Sequence, residues 1–161
     1  MSKNITVCFS ASGVTKRAAQ LIADTLNTEL IEITPKTAYT KEDLNWRDKN
    51  SRSTLEMSDK SSRPEITNEK VDLSGVDTVF LGFPVWWYIA PTIVNTFLEA
   101  NDLSGKRIVL FATSGGSDFG KTVQFLKNSV ASDTVISEGR VFSGRFEDND
   151  VVEFARQYIR V

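Results

Sequence analysis

Apolar residues fall along this chain in two alternating rhythms. Short continuous runs rich in β-branched and aromatic residues mark strands buried on both faces, and stretches with apolar residues three and four apart mark helices. Ile5-Thr6-Val7-Cys8-Phe9 reads as the first strand. Ser10 to Gly13 interrupts it, and Ala19, Ile22, Ala23 and Leu26 then follow a helical i, i+3, i+4, i+7 pattern. Leu30-Ile31-Glu32-Ile33 is a second strand, ended by Pro35. Asp77 to Phe83 is a third, stopped by Pro84. Pro91 suits the first turn of a helix carrying Ala90, Ile93, Val94, Phe97 and Leu98. Ser104-Gly105-Lys106 turns the chain into a fourth strand, Arg107 to Ala112. Val123, Leu126 and Val130 mark another helix. A weaker fifth strand between Val135 and Phe142 is interrupted by Gly139, and Val151, Val152, Ala155, Tyr158 and Ile159 mark a closing helix.

Strand alternating with helix predicts an α/β fold: five parallel strands covered by helices on both faces, in three layers. The doubly wound order 2-1-3-4-5 is the common arrangement, and residues 1–161 are expected to form one domain. One stretch does not fit the alternation. From about Lys36 to Lys70 the chain is polar, with Trp46, Leu55 and Met57 as its apolar exceptions. So long a structureless loop is improbable in a compact domain, which predicts a short helix near Ser53–Lys60. Trp46, Arg47, Asn50 and Arg52 either form a wall over a binding site or a solvated face with Trp46 tucked onto the sheet.

Composition narrows the chemistry. The 161 residues include no histidine, which removes imidazole bases, Ser/His/Asp triads and His metal ligands. The single cysteine, Cys8, cannot make an internal disulfide or a Cys cluster, so no metal site is expected, and its place inside a strand suits a small buried hydrophobe. A net charge of −2 gives no reason to expect nucleic acid. No segment has the apolar length of a membrane helix, and the N-terminus lacks the pattern of a signal peptide. A cytoplasmic location and a monomer or homodimer are therefore the expectations.

In a doubly wound sheet, ligands bind beyond the carboxyl ends of the strands where the winding reverses. Three loops meet there. Ser10-Ala11-Ser12-Gly13-Val14-Thr15 joins a strand to a helix N-terminus, where free amides and the helix dipole favour an anion. It matches neither a Walker loop nor G-x-G-x-x-G, and simple helix capping by Ser and Thr is the competing explanation. Pro84-Val85-Trp86-Trp87-Tyr88 sets two indoles and a phenol side by side, and these cannot all face one core. Thr113-Ser114-Gly115-Gly116-Ser117 permits close approach of backbone to a ligand edge. Together they suit a planar heterocycle with a phosphate tail. Lys16 and Arg17 add a candidate long-range attraction for that phosphate.

Over essentially its whole length the sequence resembles the flavodoxin-like family, in its short-chain form. Ser10–Thr15 is similar to that family's phosphate loop, Thr/Ser-x-Thr/Ser-Gly-x-Thr. Pro84–Tyr88 resembles the loop over one face of the isoalloxazine ring, and Thr113–Ser117 the loop at the pyrimidine edge. The resemblance implies non-covalent FMN with no catalytic side chain. It also implies electron transfer to a redox partner protein or, alternatively, an NAD(P)H-dependent oxidoreductase acting on a quinone or similar small acceptor. A flavin-free binding module is the other alternative. Electron carriers of the family are often strongly acidic and often place Gly in the aromatic loop, where a peptide flips as the flavin takes one electron. This chain does neither: residues 86–89 contain no Gly, and a positive φ there costs about 1 kcal/mol or more. Modest stabilisation of the one-electron form, with two-electron chemistry relatively favoured, is the expectation.

Overall fold

The computed structural model describes residues 3–68 and 70–159. The five expected strands are β1 (Lys3–Cys8), β2 (Leu30–Glu32), β3 (Val76–Pro84), β4 (Arg107–Ser114) and β5 (Val135–Ser143). The helices are α1 (Val14–Leu26), α2 (Arg52–Ser58), α3 (Thr92–Ala100), α4 (Thr122–Leu126, continued by a 3₁₀ turn at Lys127–Ser129) and α5 (Asp148–Arg156). All strand pairs are parallel and the order is β2-β1-β3-β4-β5.

Strand alternation divides the apolar residues into two cores. Val7, Val79, Leu81, Phe83, Ile108 and Leu110 face one side and pack with Ile93, Val94 and Phe97 of α3. Cys8, Phe80, Val109 and Phe111 face the other, against Ala18, Ala19 and Ile22 of α1 and Val151, Phe154 and Ala155 of α5. Helices on opposite faces send the loops after β1 and β3 apart, which opens the crevice between them. Gly139 does not end β5: it is skipped in the register, where Leu110 pairs with Glu138 and Phe111 with Arg140. The strand continues beyond this bulge to Ser143.

The polar stretch is an ordered excursion from the β2 edge. Its legs meet in an antiparallel bridge between Pro35 and Ile66, backed by Lys36 N–H to Glu65 C=O at 2.8 Å and Thr67 N–H to Thr34 C=O at 2.9 Å. Near Trp46 it is folded by its own polar groups. Thr40 and Asp43 exchange side-chain bonds with each other's N–H, and Asn45 and Asp48 accept from Arg47 and Asn50 N–H. Ser51 caps α2 by accepting from Thr54 N–H. Arg63 pairs with Glu99 and Ser62 bonds Thr92, so the excursion is also fastened to α3.

Candidate functional site

The β1–α1 loop is braced from within. Ser10 Oγ accepts from the N–H groups of Gly13 (3.0 Å) and Lys16 (3.1 Å). Gly13, at φ 94°, is the N-cap of α1 and supplies no side-chain cap, and the first turn of α1 holds no acidic residue. Among the described residues, the N–H groups of Ser12, Val14 and Thr15 and the exposed Ser12 hydroxyl have no partner. Several donors thus stand free at the positive end of a 13-residue helix. Lys16 and Arg17 add no free charge beside them: Lys16 Nζ lies 2.7 Å from Glu32, and Arg17 bonds Asp148 and the Phe146 carbonyl while stacking on the Phe146 ring.

The β3–α3 loop begins as Val85 N–H donates to Thr113 C=O at 2.9 Å. Trp86 and Ile89 then exchange both backbone hydrogen bonds across a two-residue turn. Its central residues, Trp87 and Tyr88, lie at φ 50° and 66°. Turns with both central residues at positive φ ordinarily carry Asn and Gly, because a bulky side chain there costs roughly 1–2 kcal/mol per residue. The positive φ that the sequence presents as an obstacle is therefore already adopted. The turn is held from outside itself: Lys121 N–H donates to Tyr88 C=O, and Gly120 lies against the Tyr88 backbone. Trp86 is half-buried, edge-on to Phe9 and Tyr39, whereas Trp87 and Tyr88 are 43% and 68% exposed.

In the β4–α4 loop, Ser114 Oγ accepts from the N–H groups of Gly116 (3.1 Å) and Ser117 (2.8 Å), shaping the turn. The three loops are tied in pairs. Thr15 Oγ1 and Thr113 Oγ1, both buried, share a hydrogen bond of 2.7 Å, the Val85–Thr113 bond joins the second loop to the third, and Phe9 meets Trp86.

A cavity of about 440 Å³ opens between the second and third loops, within the usual range for small-molecule sites. Val85, Trp86, Trp87, Tyr88, Ser114, Gly115, Gly116 and Ser117 line it. Ser10 to Thr15, Pro84 and Thr113 do not: the first six flank the cavity through the Thr15–Thr113 tie, Pro84 ends β3, and Thr113 is buried. Leu44, Trp46 and Ser53 complete the lining from the excursion. Trp46 is 65% exposed, so it is not tucked onto the sheet, and the Arg47 guanidinium lies over its ring. Ser53 is only 2% exposed, and its Oγ has no partner. The apolar exception at Trp46 was the sequence signal for this wall, while Ser53 carried none.

The excursion is clamped to the site through Tyr39. Arg52 lies 3.8 Å over the Tyr39 ring and pairs with Glu56, whose carboxylate accepts from Tyr39 Oη at 2.6 Å. Burial and the neighbouring Glu56 push the Tyr39 phenol well above its ordinary range, so it stays a neutral donor. Among the described residues no group of three or more His, Cys, Asp or Glu side chains could hold a metal, and no helix is long and apolar enough to cross a membrane.

A sequence model of flavodoxins matches residues 3–158. The chain belongs to the flavodoxin family. No curated protein matches it. A crystallised Bacteroides uniformis protein, provisionally assigned as a flavoprotein, is 39% identical with a TM-score of 0.88, over 96% of this chain and 98% of its own. A counterpart from Bacteroides eggerthii, assigned in the same way, is 39% identical with a TM-score of 0.86, over 98% of each chain. A Lactobacillus acidophilus flavoprotein crystallised with FMN shares the fold at 20% identity and a TM-score of 0.70, over 96% of this chain and 99% of its own.

Cys8 lies at the end of β1 but is fully buried, and burial pushes its thiol up to about 12. We expect no reaction with an aromatic disulfide reagent at pH 8 until the protein is denatured, followed by one equivalent. Rapid labelling of the folded protein would contradict this burial.

Proposed function

We propose that this chain binds FMN non-covalently and transfers electrons through it. The observation that carries the reading is the set of unpartnered amides at Ser12, Val14 and Thr15, tied through Thr15 and Thr113 to an aromatic-walled cavity. These features fit the two halves of the ligand. The amides and the Ser12 hydroxyl take the phosphate as neutral donors, helped by the α1 dipole. Val85 to Tyr88 and Ser114 to Ser117 receive the isoalloxazine ring, with Trp86 held in place by Phe9 and Tyr39. FMN when bound supplies the redox chemistry, so no side chain need act as acid or base. The family membership and the FMN complex of the Lactobacillus acidophilus flavoprotein support this reading.

A second reading, an NAD(P)H-dependent oxidoreductase with a quinone or similar small acceptor, is favoured by the overhanging Trp46. A wall there leaves less of the ring edge for a protein partner. FMN titration tests the common claim. A yellow complex with a micromolar or tighter constant is the expected result, and a colourless protein indifferent to FMN overturns it in favour of a flavin-free module. Steady-state NAD(P)H oxidation with a quinone then separates enzyme from carrier.

A further inference from the structure

Ser53 is the least explained polar group near the cavity. A buried hydroxyl without a partner costs about 1–3 kcal/mol, and native structures retain few of them. The backbone that carries Ser53 is held firmly in place. Its N–H is fixed to Asp43 C=O at 2.9 Å, the helix turn it belongs to is capped by Ser51, and the residue before it, Arg52, is locked over Tyr39 and onto Glu56. Tyr39 in turn packs on Trp86, so the excursion and the aromatic loop are set in one rigid frame. Ser53 contributes to the cavity wall beside Leu44 and Trp46.

We propose that Ser53 is a ring-binding residue: its hydroxyl forms a hydrogen bond with the polar edge of the bound isoalloxazine, while Leu44 and Trp46 close the ring's outer side. A hydroxyl suits this place because it rotates, donating to a ring nitrogen or carbonyl and accepting from a ring N–H. The assignment rests on the FMN reading. It accounts for a group whose removal should relax the empty protein and weaken the complex, a pair of effects that a purely structural serine does not produce.

Ser53→Ala tests it, with FMN and riboflavin titrated into the parent and the variant, and thermal unfolding followed on the flavin-free proteins. The expected variant melts at or above the parent without flavin. It binds FMN and riboflavin more weakly by a common factor, on the order of tenfold. A variant that binds FMN as tightly as the parent overturns the role of Ser53 and leaves the FMN reading standing. So does a loss confined to FMN, which would place the hydroxyl at the phosphate. A parent that binds neither flavin overturns both.

Discussion

Gly120→Ala is expected to lose about 2–4 kcal/mol of stability and at least tenfold in FMN affinity. A methyl at this position would sit 2.2 Å from the Tyr88 carbonyl oxygen and 3.0 Å from Tyr88 Cβ. The obstacle is backbone, which cannot swing aside as a side-chain tip could. Gly120 also lies at φ 56°, where a Cβ adds conformational strain to the clash. Relief requires Tyr88 to retreat, breaking the Lys121 N–H bond that holds the turn at positive φ. Trp87 and Tyr88 would then leave the cavity edge. Urea unfolding of the flavin-free protein and a fluorescence titration with FMN measure the two effects. A variant equal to the parent in both would show that the turn does not depend on this buttress.

Ser12→Asp should act in opposite directions on the two states. A carboxylate just ahead of the Gly13 N-cap would meet unpartnered amides at the positive end of α1. The flavin-free protein should gain about 0.3–1 kcal/mol, most clearly at low salt. The same charge opposes a phosphomonoester in the same place, and like-charge juxtaposition costs several kcal/mol. FMN affinity should fall by about a hundredfold or more, while riboflavin, which has no phosphate, should be nearly unaffected. Unchanged FMN affinity would mean that the phosphate lies elsewhere. Neighbouring cations offer little rescue, because Lys16 and Arg17 already have carboxylate partners.

The features behind these two predictions differ in how visible they are from sequence. Strands such as Arg107–Ala112 are legible because burial on both faces demands an unbroken apolar run. The start of α5 is less legible. Apolar spacing begins at Val151, but the helix begins at Asp148, where a capping box formed by Glu147 and Asp150 makes a polar first turn. The free amides after β1 could be read because donors at a helix N-terminus are a local consequence of chain geometry. The conformation of Trp87 and Tyr88 could not: neither is a turn former, and their positive φ is imposed by Gly120 and Lys121, more than thirty residues away. The pairing of Lys16 with Glu32 and of Arg17 with Asp148 likewise depends on strands and helices brought together by folding. Ser53 was hidden for the same reason, since an unpaired hydroxyl is defined by its surroundings.

The closure of the excursion at Pro35 and Ile66 has a mechanical corollary. A stretch whose two ends touch leaves the sheet edge as a closed loop, so a change of length near Lys41 or Lys49 need not shift the strand register, whereas a change at Tyr39, Ser62 or Arg63 would also pull on α3 and the aromatic loop.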